Sequence, residues 1–149
     1  MEASLSPKTA ARLAPGPALM LELQTAYDEL RRCIAELTDV LDLPEPNRAR
    51  LTSVRLKIAT LRLARGPLVG KIAACLDGKT NSSEAELLRR LRAEHDEMLR
   101  NAAAHTSKWN LEAIDLDWAG YRAATRQLLR CWTEKMNWEQ EAIYPLLKR

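Results

Sequence analysis

Apolar residues recur along the chain in alternating steps of three and four, the spacing that gives a helix one continuous apolar stripe. The first stripe is Met20, Leu23, Tyr27, Leu30, Ile34, Leu37 and Leu41, and it stops at Leu43-Pro44-Glu45-Pro46, where two prolines forbid continuation. Asn47 is placed to cap a second helix with the stripe Leu51, Val54, Ile58, Leu61, Arg65, Leu68, Ile72 and Cys75, ending near Asp77-Gly78. Gly66-Pro67 lies inside it and predicts a kink. Asn81-Ser82-Ser83-Glu84 has the form of a helix start, and the third stripe follows as Leu88, Leu91, His95, Met98, Ala102, His105 and Trp109. Residues 110–117 predict a short helical turn over Leu111 to Ile114, or a loop. The last stripe is Trp118, Tyr121, Thr125, Leu128, Trp132, Lys135, Glu139, Ala142 and Leu146. Short connections between long helices make sequential neighbours antiparallel. The expected fold is all-α, an up-down-up-down antiparallel four-helix bundle over residues 18–149, preceded by a flexible segment, 1–17, in which Pro15-Gly16-Pro17 reads as a loop.

Composition strengthens the helical reading. Leu and Ala dominate, Phe is absent, and Val occurs only at positions 40, 54 and 69, whereas strands favour β-branched and aromatic residues. A length of 149 residues suffices for one domain with a real core. No apolar run approaches the roughly 18–20 residues of a membrane helix, and Met1 to Pro17 lacks the apolar core of a secretory signal, so no membrane association is expected. Cys33, Cys75 and Cys131 form no CxxC pair, and reduced thiols in a cytoplasm are the simpler reading. A net charge of +3 is too small to imply a nucleic-acid partner by itself.

The informative residues are polar ones on the core faces. Tyr27, Arg65, His95, Lys135 and Glu139 all fall on inward stripes. Counting back from the turn near 44–47 puts Tyr27 level with Arg65, and counting from the turn near 78–83 puts Arg65 level with His95. Lys135 and Glu139 come one or two turns away. A buried charge is costly unless paired and hydrogen-bonded, so this layer is expected to be a network or a site. The bland alternative has Arg65 and Lys135 snorkelling outward, with Glu139 paired to one of them.

Several local stretches resemble the hemerythrin-like (HHE cation-binding) family of four-helix bundles over roughly residues 20–147. Tyr27-Asp28-Glu29-Leu30-Arg31 is similar to the family's first-helix opening, with tyrosine where a histidine would stand. The run Arg92 to Leu99 is similar to its third-helix opening, with His95 at the ligand position. Glu139-Gln140-Glu141-Ala142-Ile143-Tyr144-Pro145-Leu146-Leu147 resembles its closing glutamate and apolar-aromatic-proline finish. Trp109, Ile114 and Asp117-Trp118-Ala119-Gly120-Tyr121-Arg122 resemble an α-proteobacterial subgroup.

The resemblance implies two irons held between the helices by inward histidines and carboxylates. Its second and fourth helices each carry a histidine and, four residues on, a carboxylate, one turn apart on one face. Here the fourth helix offers Lys135 with Glu139, and the second offers Ala64 with Leu68 or Arg65 with Val69. Such a site needs roughly six or seven inward donors. The chain has two histidines, and His105 lies about 15 Å along the helix from His95. Tyr27 could ligate ferric iron only as phenolate, against a pKa near 10. The expectation is a degenerate core without iron, in which Tyr27, Arg65, His95, Lys135 and Glu139 form a protein network, and a non-enzymatic binding or regulatory module. The alternative is an iron- and oxygen-binding protein using His95, Glu139, Tyr27 and Glu94. No nucleophile–base pair, glycine-rich phosphate loop or HExxH supports an enzyme.

The second helix has no acid between Asn47 and Leu76, whereas the first is mostly acidic. Complementary charge along their seam is the first explanation. An anion-binding face is the second, and no groove-reading motif supports nucleic acid. A protein partner is not identifiable from the sequence; Leu56 and Leu63, off the main stripe, leave room for self-association.

Overall fold

The computed structural model describes residues 14–149, so the expectation of a flexible segment concerns, over residues 1–13, a stretch outside the described residues. Every regular element among the described residues is helical. They are α1 (Pro15–Leu41), α2 (Arg48–Leu76), α3 (Ser82–Lys108), α4 (Leu111–Leu116), α5 (Trp118–Ala142) and α6 (Tyr144–Leu147), four of them long. No helix among them is long and apolar enough to cross a membrane, and the three cysteines are free.

Local chemistry accounts for most boundaries. The Asn47 side chain accepts from the Arg50 backbone amide, and Asn81 and Glu84 form a reciprocal capping box. Asn110 and Asp117 cap α4 and α5 by accepting from Ala113 and Gly120. One boundary differs from expectation. Pro15-Gly16-Pro17 is the first turn of α1 rather than a loop, because proline fits the first helical turn, where its missing N–H has no partner to lose. Gly16 lies so close to the end of the chain that a Cβ there would come within 2.4 Å of the Leu147 carbonyl oxygen. The second helix runs on through Gly66-Pro67 to Leu76, close to the end expected near Asp77-Gly78.

Cross-helix contacts fix the directions. Glu36 meets Lys57 at 3.3 Å and Glu22 meets Lys71 at 3.8 Å, so α1 and α2 run antiparallel with opposite charges along their seam. His105 with Thr125 at 3.2 Å and Glu97 with Lys135 at 3.6 Å set α3 antiparallel to α5. Asp42 with Arg126 and Arg31 with Gln140 do the same for α1 and α5. The Trp118 indole donates to the Leu43 carbonyl at 3.0 Å, tying the first turn to the start of α5.

Burial removes apolar surface in two clusters. One gathers Leu37, Val54, Ile58, Met98, Trp109, Tyr121 and Trp132; the other gathers Leu23, Tyr27, Leu68, Ile72, Leu91, Met136 and Ile143. On α2 and α3 the polar residues Arg65 and His95 fall where one cluster gives way to the other. On α5 the buried line is Tyr121, Thr125, Leu129, Trp132, Met136 and Glu139, so Met136 takes the inward place expected of Lys135.

Candidate functional site

The most deeply buried polar group is the Glu139 carboxylate of α5, 1% exposed. Two helices reach it from the far side of the chain. The Tyr27 hydroxyl of α1 donates to Oε2, and Nη2 of Arg65 on α2 donates to Oε1. The guanidinium carbon of Arg65 also lies 5.8 Å from the Tyr27 ring centroid, and that ring stacks on Tyr144 at 6.1 Å. Cation, phenol and carboxylate thus close on one another.

Burial sets the protonation of this triad. It pushes the Tyr27 phenol well above its ordinary value, and the Glu139 charge adds to the push, so the hydroxyl stays a donor. Burial also raises the Glu139 carboxyl, against the opposing pull of Arg65 and the Tyr27 bond. Burial works against the Arg65 charge, but Glu139 and Tyr27 outweigh it and hold the guanidinium pKa above the usual arginine value.

His95 is buried beside this group and packs near Gly66, where a Cβ would stand at an ordinary contact distance of 3.5 Å from its Nε2. Burial first, then the Arg65 charge, depresses the imidazole pKa. Its Nδ1 has no hydrogen-bond partner among the described residues. Lys135 does not join the triad. It sits half-buried and pairs outward with Glu97 on α3, because its long stem covers the edge of the apolar face while the ammonium reaches solvent. Glu94 also turns outward, to Arg90 at 3.1 Å.

The di-iron centre implied by the resemblance can be tested against these donors. Glu139 has one oxygen on a guanidinium and the other on a neutral phenol, and Tyr27 is held in the form that does not ligate iron. No group of three or more His, Cys, Asp and Glu residues among the described residues is arranged to hold a metal ion. A guanidinium at the centre adds repulsion where a metal needs carboxylate. The residues present do not fit a pair of irons.

Sequence reasoning missed a second polar region beside the first. A cavity of about 120 Å³ lies among α1, α2, α3 and α5, lined by Arg55 and Arg62, by the hydrogen-bonded pair His105 and Thr125, and by Trp132, among others. A smaller one of about 20 Å³, room for one water molecule, adjoins Tyr27, Arg62, Arg65 and Trp132. The available signal was Arg62 lying four residues after Ile58, at the edge of the apolar stripe. Compared with protein-family profiles, curated proteins and solved structures, the chain finds no match.

Proposed function

We propose that the chain is an up-down four-helix bundle of hemerythrin-like type whose interior has exchanged metal bonds for protein bonds, and that it works without iron as a binding or regulatory module rather than an enzyme. The observation that supports this most is the pair of partners on Glu139. The carboxylate at the position matching the family's closing glutamate has both oxygens engaged by Tyr27 and Arg65. An ion pair of this kind contributes what a metal would otherwise supply at the centre, a positive charge facing a buried carboxylate.

The antiparallel contacts between α1 and α2, α3 and α5, and α1 and α5 support the bundle reading. Reduced cysteines and the lack of a spanning helix among the described residues are compatible with a cytoplasmic setting. The test is metal analysis with an optical spectrum of protein expressed under iron supplementation. A colourless preparation with far less than one iron per chain is expected; two irons per chain, with the visible absorption of an oxo bridge or iron–tyrosinate, would overturn the reading.

A further inference from the structure

The basic residues of α2 divide into two sets. Arg48, Lys57, Arg65 and Lys71 each meet a carboxylate, on Asp115, Glu36, Glu139 and Glu22. Arg50, Arg55 and Arg62 meet none among the described residues; Arg50 is exposed, whereas Arg55 and Arg62 are half-buried. They stand two helical turns apart on one face and line the same 120 Å³ cavity, to which no Asp or Glu contributes.

Residues that line this space carry buried donors without partners. Nε of Arg62 is buried without a hydrogen-bond partner, and so is the indole Nε1 of Trp132 across the cavity on α5. The adjoining 20 Å³ cavity shares Ile58, Arg62 and Trp132 and brings Nε of Arg65, also without a partner. Buried donors are almost always satisfied in folded proteins, and a desolvated cation without a counter-charge is costly. Burial depresses the Arg62 pKa with no carboxylate to offset it. Leu37, Ile58, Leu128 and Leu129 give the space an apolar side, and His105, Thr106, Tyr121 and Thr125 a polar but uncharged one.

We propose that this cavity binds a small amphipathic monocarboxylate, with the anionic group on Arg62 and the Trp132 indole N–H and the apolar body against Ile58, Leu128 and Leu129. A guanidinium with a free Nε edge suits a planar carboxylate, which it can take through two parallel bonds. The cavity is partly open to solvent, so a ligand larger than its 120 Å³ can project from the mouth. The apolar walls disfavour a fully hydrated inorganic anion. This gives the binding module a ligand, but it stands on residues other than the triad, so iron in the protein would overturn the preceding reading and leave this one untouched.

The test uses the full chain with benzoate as probe, benzyl alcohol as its uncharged counterpart and inorganic phosphate as a bare anion, read by calorimetric titration and thermal unfolding. Benzoate is expected to bind saturably and raise the melting temperature, with benzyl alcohol and phosphate at least tenfold weaker. Arg62→Gln is expected to weaken benzoate by roughly a hundredfold, as loss of charge-assisted bonds predicts, and Trp132→Phe by a few-fold. Arg50→Gln, an exposed residue outside the cavity, is expected to leave binding unchanged. Should Arg62→Gln fail to fold, Trp132→Phe decides the matter, because it keeps an aromatic ring at the wall and removes the N–H donor, with benzyl alcohol affinity in the same variant reporting the effect of the lost ring volume. Equal binding of benzoate and benzyl alcohol, phosphate binding alone, or full affinity in Trp132→Phe together with Arg62→Gln would overturn the proposal.

Discussion

Arg65 and Glu139 lie 74 positions apart in the chain and form an ion pair with side chains 6% and 1% exposed. A pair buried this deeply is not a strong source of net stability, because removing two charges from water offsets most of their attraction. Its consequence is specificity of partner. Each member punishes the loss of the other, and together with Tyr27 they tie α1, α2 and α5 at one level.

Removing one partner should therefore be much worse than removing all three. Arg65→Met leaves a buried carboxylate without its cation, and a loss of about 3–5 kcal/mol is expected in urea unfolding. The triple variant Tyr27→Phe, Arg65→Met, Glu139→Met leaves no orphan and is expected within about 2 kcal/mol of the native chain. A triple variant worse than the single one would show that the network itself supplies the stability.

Lys135 gives the contrast. Its pairing with Glu97 at 3.6 Å joins a half-buried ammonium to a carboxylate that is 56% exposed. Lys135→Met should change stability by less than about 1 kcal/mol, since such pairs are screened by solvent. An effect as large as that of Arg65→Met, measured by the same unfolding curves, would restore Lys135 to the interior network.

The difference between these two cations shows what a stripe in a sequence can and cannot carry. The level shared by Tyr27 and Arg65 follows from two helices of similar length folded back on a short turn. The inward place of α5 is ambiguous, because positions three and four after Trp132 both lie near the same face. Met136 fills it in the structure and Lys135 stands at the rim, a choice made by packing against α3 that no spacing rule contains. Trp132 reads from the sequence as bulk; that it lines a cavity with Arg62 depends on several helices meeting.

The turn at Pro15-Gly16-Pro17 was legible only in part for the same reason. Proline punctuates both loops and helix starts, and the deciding contact is with Leu147, at the other end of the chain. Gly16→Ala places a methyl group against the Leu147 carbonyl oxygen, so backbone must shift. A loss of about 1–3 kcal/mol is expected, with faster amide exchange in α6. Unchanged exchange there would remove the contact from the account.

The histidines set a pH dependence. Burial, reinforced by Arg65 for His95 and by Arg55 and Lys108 for His105, depresses both pKa values below the usual 6.5. The neutral rings are favoured in the folded state, so their contribution is fully present above about pH 6.5 and is lost as pH falls through the depressed values. Glu139 runs the other way, its raised pKa making its contribution largest at low pH and smaller as pH rises through that value. Stability measured from pH 7.5 to 5 in His95→Gln with His105→Gln should fall less steeply than in the native chain. An identical slope would contradict the assignment.

The central claim is that protein groups stand where metal would be needed, and anaerobic unfolding with and without ferrous iron tests it most directly. A metal that binds only the folded chain raises its stability by mass action, by roughly 2.7 kcal/mol at a hundred times the dissociation constant. The account predicts coincident unfolding curves with iron, without it and after chelation. A midpoint that climbs with iron concentration and no longer does so in Glu139→Gln would contradict it.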